Sequence, residues 1–373
     1  MVVDGEQKKR SEHPLLESKT PPSTEIRTMA SVRPARLTET GSKGRVRCGV
    51  CERRCLIPEK GSGFCKTRYN IDGSLYTIVY GSISSLSINP IEKKPLYHYW
   101  PGSRALTIGT WSCNFTCPWC QNYDISKKYP TPTDEIIEPK KLVKLALAEG
   151  CQGISFSFNE PTLLFEYALD TFPIARASGL YCHFVSNGYM TAEALRLLAE
   201  AGMDAIKFDV KGCEEVVKRF CGAYSEPVWR NIRLAKDLGL HVEVVLLLIP
   251  QVNSDINEVR QIARRVKEVA GEDTPLHITR FYPAYKLTDK PPTPISTLER
   301  AVQAAKEEGL NYVYIGNVPG HTYENTWCPK CGTLLIERYG FAVTRYELTK
   351  DKKCPRCGIS IPIVGEPPKY LLL

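Results

Sequence analysis

From residue 104 onward, short apolar and β-branched runs alternate with amphipathic stretches of helical period. The runs RALTIGT (104 to 110), GISFSF (153 to 158), YCHFVSN (181 to 187), DAIKFDV (204 to 210), HVEVVLLLI (241 to 249), LHITRFY (276 to 282) and YVYIGN (312 to 317) predict strands. Between them, residues 255 to 270 place Val259, Ile262, Val266 and Val269 on one helical face, with Ser254 or Asp255 to cap the start and Gly271 to end it. Residues 192 to 201 do the same with Thr191 as cap, Leu195 and Leu198 inward and Gly202 at the end. Alternation of this kind predicts an α/β fold, a parallel sheet whose strands are joined by helical crossovers. Six or seven units fall short of the eight of a closed barrel, so residues 104 to 321 are expected to form a partial (β/α)6-type barrel.

The flanks differ. Residues 1 to 45 are rich in Lys, Arg, Glu, Pro, Ser and Thr without apolar period and are expected to be a disordered extension; Met29 opens MASVRPARL, so an early start site would account for the upstream residues. Residues 46 to 103 join a cysteine group, CGVCERRCLIPEKGSGFC, to a β-rich stretch, SLYTIVYGSISSLSINPIEKKPLYHYWPGS, and predict a four-cysteine metal-binding module with a small antiparallel β element. Residues 322 to 373 hold CPKC and CPRC around short strand-like runs, with no room for a conventional apolar core.

Composition narrows the class. The chain has 373 residues, more than the ~250 to 300 at which one core stops growing, which suits a main domain with small appended modules. Its 49 Lys and Arg against 41 Asp and Glu leave a net charge of +8, spread without a long like-charge run, which permits an anionic partner without demanding one. No stretch approaches the ~20 apolar residues of a membrane span, and the opening segment is too polar for a signal peptide, so a cytoplasmic location without membrane contact is expected. In such a reducing compartment the fifteen cysteines are poorly explained by disulfides; eleven fall into three close groups, as metal ligands do. The other four, Cys151, Cys182, Cys213 and Cys221, read as buried small hydrophobes.

The central group is the most informative. Cys113, Cys117 and Cys120 follow the first strand of the alternating region in the spacing C-x-x-x-C-x-x-C, with no fourth cysteine close behind. Strand C-termini are where active sites of parallel barrels gather. Three thiolates hold three irons of a four-iron, four-sulfur cluster and leave one iron open to a non-protein ligand. S-adenosylmethionine suits that open iron, because its amino nitrogen and carboxylate oxygen chelate. The plainer alternative is a zinc or structural iron site that borrows a remote fourth ligand.

With aromatic Trp119 before the last cysteine, the loop resembles the C-x-x-x-C-x-aromatic-C signature of the radical S-adenosylmethionine superfamily. The resemblance implies that Cys113, Cys117 and Cys120 bind the catalytic 4Fe-4S cluster, and it directs attention to the ends of the next strands. Where the superfamily usually has GGE, this chain has SFSFNEPT: Phe158 and Asn159 replace the glycines while Glu160 and Pro161 remain. A carboxylate at Glu160 can accept hydrogen bonds from the cofactor's ammonium; an acid favoured at a helix N-terminus is the plainer reading. By similarity to pyruvate formate-lyase activating enzymes, Ser186 and Asn187 of VSNG lie near the ribose and methionyl parts, and Asp209 and Lys211 of KFDVKG beside the carboxylate or the substrate. Lys207 shares their strand face, which argues for a polar barrel interior, although a structural ion pair explains each residue singly. His277, Arg280, Asn317 and His321 follow late strands as weaker candidates for substrate contact.

The flanking groups are metal-type sites. Cys328, Cys331, Cys354 and Cys357 form two C-x-x-C knuckles, each followed by glycine, the sign of a zinc ribbon. Cys48, Cys51, Cys55 and Cys65 suit either zinc, which is slightly preferred, or an auxiliary iron-sulfur cluster. Arg45, Arg47, Arg53, Arg54, Lys60, Lys66 and Arg68 stand nearby to offset thiolate charge.

Taken together, NPIEKKPLYHYWPGS, CNFTCPWCQN, FNEPTLLFEY, DVKG, HITRFYPAY, GNVPGH and the terminal ribbon resemble the radical enzyme of the AmmeMemoRadiSam system over about residues 46 to 365; Asn89 departs from the Asp expected there. This resemblance implies functional association with a Memo-like and an AMMECR-like protein and an external one-electron donor of flavodoxin or ferredoxin type. The implied reaction is reductive cleavage of S-adenosylmethionine to a 5'-deoxyadenosyl radical that abstracts hydrogen from a substrate. Activation of a glycyl-radical enzyme is the alternative within this chemistry. From other classes come an RNA-binding or RNA-modifying zinc-ribbon protein, against which the chain shows no aromatic-interleaved basic patch, and a noncatalytic scaffold that kept its metals.

Overall fold

The computed structural model describes residues 23 to 369. Its main sheet has eight strands: β1 (Ser85–Pro90), β2 (Arg104–Gly109), β3 (Gly153–Phe156), β4 (Tyr181–Ser186), β5 (Ala205–Val210), β6 (His241–Leu248), β7 (Leu276–Arg280) and β8 (Val313–Gly316), adjacent in chain order. From β2 to β8 every pairing is parallel, and β1 and β8 are the two edges. The crossovers carry α1 (Pro139–Ala148), α2 (Phe165–Ala177), α3 (Ala192–Ala201), α4 (Glu226–Asp237), α5 (Ile256–Ala270) and α6 (Ile295–Glu307). Six strand-helix units from β2 to α6, with β8 and the antiparallel β1 as further strands, make an open, partial barrel of the kind the alternation predicts.

Each strand alternates between two environments. Phe156, Phe184, Ile206 and Val242 stand in one register row across β3 to β6 and are at most 2% exposed. Phe172 of α2 meets Phe156 and Phe184 edge-on, with ring centroids 5.2 and 5.7 Å apart, so the main core lies between sheet and helices. Full burial of each such side chain contributes about 1.5 to 3 kcal/mol. The opposite face is polar, with Lys207 of β5 beside Glu243 of β6 in register. Helix ends follow local chemistry: Asp255 accepts from the N–H groups of Asn257 and Glu258, and Thr191 from that of Ala194.

Three departures from the sequence reading concern the flanks. Residues 1 to 22 of the expected disordered extension lie outside the described residues, but residues 23 to 45 are structured. They hold a short helix (Ser23–Thr28) and strands (Arg33–Pro34 and Thr38–Thr40), and Ile26, Ser31 and Val32 are buried. Their order comes from remote partners that no local apolar period announces: Ser31 N–H donates to Thr133 O, and Arg36 N–H to the Glu166 carboxylate. Second, β1 does not stay in a separate N-terminal element; it pairs antiparallel with β2 from Ser85↔Gly109 to Pro90↔Arg104, so a boundary at residue 103 cuts through the sheet. Third, the C-terminal strands (Thr326–Trp327, Leu334–Tyr339 and Ala342–Tyr346) share an apolar cluster with the barrel, in which Leu335, Ile336 and Val343 pack with Tyr97, Tyr312 and Tyr314.

The junction beneath the barrel is polar at its centre. The buried Glu243 carboxylate accepts from the N–H groups of Tyr97 and His98 at 3.0 and 2.8 Å, and from His241 and His277 at 2.9 and 2.6 Å. Burial would raise its pKa, but the two histidines hold it well below the usual range. Arg338 of the C-terminal module donates to Tyr97 O at 2.8 Å, and its guanidinium lies over the Tyr97 ring. Among the described residues no helix is long and apolar enough to cross a membrane.

Candidate active site

A cavity of about 440 Å³ opens at the C-terminal ends of the parallel strands, and it gathers residues from across the sequence. Cys113, Cys117, Cys120 and Trp119 come from the loop after β2, Asn159 and Glu160 from the end of β3, Asn187 from β4, Lys207, Asp209 and Lys211 from β5, and Asn317 from β8. Ser186 stands behind this wall, donating to Glu160 at 2.8 Å. His277 belongs instead to the Glu243 junction, Arg280 donates to Thr293 O, and His321 caps a short turn facing Glu299. Of the late-strand candidates, only Asn317 therefore reaches the cavity wall. A larger cavity of about 640 Å³ lies at the opposite strand ends, beside Tyr99, Tyr181 and His241, and contains none of the three cysteine groups.

The loop geometry depends on side-chain amides. Phe158, standing where the related motif has glycine, adopts a left-handed φ of 67°, and Ser112 one of 69°. Non-glycine residues hold such conformations only where surroundings over-determine them. Here Asn159 spans the gap, accepting from Thr110 N–H at 3.0 Å and donating to Ser112 O at 2.8 Å, so the cysteine loop is tied to the end of β3. Asn122 donates to Phe158 O, and Asn187 to Asn114 Oδ1 at 2.7 Å. From the N-terminal module, Arg53 donates to Asn114 O at 2.8 Å and to Gly222 O. Arg68 pairs with buried Glu166 at 2.6 Å, and both arginines also act on the N-terminal cysteines in the expected sense, Arg53 favouring the charged form of Cys55 and Arg68 that of Cys48.

The charges are arranged in two groups. Glu160 is buried and accepts from Thr162 N–H and hydroxyl, the Ser186 hydroxyl and Asn187 N–H. Burial pushes its pKa up, against the opposing pull of these donors. Asp209 lies between Lys207 and Lys211, the latter at 3.0 Å; burial would raise it, but the two ammonium groups pull it down to about 2. The shared strand face of these three residues therefore produces a lysine-aspartate-lysine cluster on the cavity wall. Cys221, expected to be a bland buried thiol, is buried but lies 3.4 Å from Cys117 Sγ, at the end of a π-helical turn (Val217–Cys221). Cys151 and Cys182 are buried and Cys213 is partly exposed.

Comparison with known proteins places this geometry. Residues 108 to 266 match the family model described as the radical SAM superfamily. The chain carries a radical SAM domain. A relative from Methanocaldococcus jannaschii, itself described as uncharacterized, is 46% identical over 338 residues, covering 89% of this chain and all of the relative. Another protein of that organism, named provisionally as a glycyl-radical enzyme activating enzyme, is 27% identical over 226 residues, covering 57% of this chain and 79% of its own. Among solved structures, a domain of pyruvate-formate lyase-activating enzyme from Bacteroides vulgatus is similar at 17% identity and a TM-score of 0.40, over 44% of this chain and 99% of that one. A radical SAM methyltransferase from Sphaerobacter thermophilus is similar at 12% identity and a TM-score of 0.46, over 63% and 71%.

The cavity at the strand C-termini includes residues that sequence reasoning left without a role: Lys93, Lys94, Asn122, Lys127, Phe158 and Thr279. IEKKP was visible as a motif, but no local signal shows that a turn after β1 folds back onto the cavity. Away from it, the sulfur atoms of Cys328, Cys331, Cys354 and Cys357 all lie within 4.8 Å of one another. Two equivalent knuckles form them, closed by Gly332 N–H to Cys328 O and Gly358 N–H to Cys354 O. Such mutual spacing suits four thiolates around one ion. The N-terminal Cys48, Cys51, Cys55 and Cys65 are near enough for their charges to interact, but are not gathered to that spacing.

Proposed function

We propose that this radical SAM enzyme binds a 4Fe-4S cluster through Cys113, Cys117 and Cys120 and S-adenosylmethionine in the adjoining cavity. The observation that carries the reading is the convergence of those three thiols, the Glu160 and Asn187 pair and the Lys207, Asp209 and Lys211 cluster on one cavity at the strand C-termini. The bound cluster and cofactor supply one-electron reductive cleavage and a 5'-deoxyadenosyl radical able to abstract hydrogen from a substrate. The chain's own residues bind and orient. Glu160 organises the ends of β3 and β4, and its Oε2, which takes one N–H donor from Asn187, has capacity for the cofactor's ammonium. Asp209, held as a carboxylate between two lysines, keeps both ammonium groups directed at the cavity wall. Trp119, Phe115, Val245 and Leu247 provide apolar wall that excludes water.

Further components follow the same reading. The C-terminal four-cysteine group takes zinc as a structural ion, and the N-terminal four take zinc or an auxiliary iron-sulfur cluster. A flavodoxin- or ferredoxin-type donor supplies the electron, in the cytoplasm, where thiols stay reduced. Memo-like and AMMECR-like proteins are the proposed associates, from the motif set the chain shares with the AmmeMemoRadiSam radical enzyme. A second reading, activation of a glycyl-radical enzyme, is supported by the name of the 27% identical relative. The test is anaerobic reconstitution with iron and sulfide, reduction by dithionite and detection of 5'-deoxyadenosine by mass spectrometry. Product from the wild type and none from the Cys113, Cys117 and Cys120 triple alanine variant is expected; no binding of S-adenosylmethionine by protein with an intact cluster overturns the reading.

A further inference from the structure

Lys94 combines burial, an address on the cavity wall and a missing counter-ion. It is 3% exposed and follows the single turn Ile91–Lys93 after β1. Its ammonium donates to Asn89 Oδ1 at 2.8 Å and lies 4.8 Å from the centre of the Phe158 ring, both uncharged partners. The Asn89 amide nitrogen is engaged with Ser87 Oγ and Ile88 O, which leaves its oxygen turned to the lysine. The neighbouring lysines are provided for: Lys207 and Lys211 share Asp209, and Lys127 donates to Phe115 O at 2.8 Å. Among the described residues, then, Lys94 is the buried lysine of this cavity that has no carboxylate.

Burial of an unpaired ammonium is costly, and here burial with the charges of Lys93 and Lys207 brings its pKa down from 10.5 to about 7. An anion within reach removes that cost. S-adenosylmethionine does not bring one in net terms, since its sulfonium and ammonium outnumber its carboxylate. Deeper in the barrel the polar lining continues unsatisfied. His183 and Ser155, register partners on β4 and β3, are fully buried, and neither ring nitrogen nor the hydroxyl has a protein hydrogen-bond partner. They share strand faces with Val185 and Ser157, which line the cavity.

We propose that Lys94 anchors a substrate subsite separate from the cofactor's, and that the substrate carries a carboxylate or phosphate group which takes the free N–H directions of the ammonium. His183 and Ser155 are the next polar partners for the body of the same molecule. This rests on the reading of the cavity as the chamber of a radical SAM enzyme, and it adds the substrate's charge and the residue that reads it.

The test uses reconstituted holoprotein, anaerobic and without reductant. Binding of S-adenosylmethionine to the wild type is measured first by calorimetry, so that failure of the cofactor reading shows by itself. With the cofactor saturating, acetic anhydride labelling of each lysine is followed by peptide mass spectrometry in the presence of glutarate, inorganic phosphate or neutral glutaramide. Glutarate or phosphate is expected to slow acetylation of Lys94 by about fivefold or more without effect on exposed Lys93, while glutaramide does nothing. Whichever anion protects identifies the group. Lys94→Gln should weaken binding of the protecting anion by about tenfold and leave cofactor affinity unchanged, and Lys94→Arg should restore it. Equal protection by glutaramide, no protection by either anion, or a loss of cofactor affinity in Lys94→Gln without loss of anion binding would overturn the proposal; the last would assign Lys94 to the cofactor's own carboxylate.

Discussion

Asn159 shows how much of the site rests on one amide. It replaces a glycine of the related motif, and both ends of its side chain hold backbone of the cysteine loop. Asn159→Ala leaves a buried N–H and a buried carbonyl without partners, so a loss of about 1 to 3 kcal/mol in urea unfolding is expected, with lower iron content after reconstitution. An unchanged iron content would mean that the loop holds its shape without the amide. Glu160→Gln is expected to act differently. The variant exchanges an acceptor-only group for an amide whose NH2 must face donors such as Asn187 N–H, so stability falls by about 1 to 3 kcal/mol. Cofactor affinity measured by calorimetry should fall as well, by about tenfold or more if the carboxylate meets the ammonium. The sequence singled out both Asn159 and Glu160, and the structure brings both to the cavity wall. Their division of labour was not legible in the sequence, because it depends on which backbone groups of the first loop come within 3 Å.

At the scale of elements, β6 joins two functions. Its upper part reaches the cavity through Val245 and Leu247, while Glu243 near its start holds the segment of Tyr97 and His98 under the barrel. Because the folded-state pKa of Glu243 lies below its ordinary 4.5, the carboxylate contributes stability that is fully present above pH 4.5 and is lost as the pH falls below it. Glu243→Gln turns an acceptor-only group into an amide facing backbone N–H donors, so it should cost about 1 to 3 kcal/mol at neutral pH and flatten the acid limb of a stability-against-pH curve measured by chemical denaturation. An acid limb as steep as that of the wild type would assign the pH dependence elsewhere. The sequence pattern announced β6 as a strand, since HVEVVLLLI is apolar enough. It did not announce the glutamate's importance, as one acid in an apolar run looks the same whether its partners are water or two histidines and two backbone amides.

Across the whole molecule, the C-terminal module closes one edge of the barrel. Tyr314 of β8 hydrogen bonds to both His98 and Thr326, and Arg338 reaches Tyr97 O, so the metal-type knuckles and the barrel share a core. On the proposal that Cys328, Cys331, Cys354 and Cys357 hold zinc, treatment with a chelator is expected to release one equivalent of it by elemental analysis. It should also lower the melting temperature of the entire barrel by several degrees, since losses on the order of 1 to 3 kcal/mol spread through the shared core. Independent melting of the module with no change in the main transition would show that the contacts are not cooperative. The shared core also explains why the sequence suggested a module too small for an apolar interior: its aromatic half is contributed by Tyr97, Tyr312 and Tyr314, outside the segment.

The sequence by itself determined the strands, the crossover helices, the three cysteine groups and the order of the polar residues at the strand ends. Those features depend on period, capping and spacing, which act over a few residues and survive without tertiary context. Only the tertiary structure decided that residues 23 to 45 are ordered, that β1 joins the barrel sheet, that Arg53 and Arg68 answer to backbone and carboxylate partners, and that Lys94 enters the cavity without a counter-ion. Each of those outcomes depends on hydrogen bonds, burial or charge between groups far apart in the chain, and such pairings have no local period to reveal them.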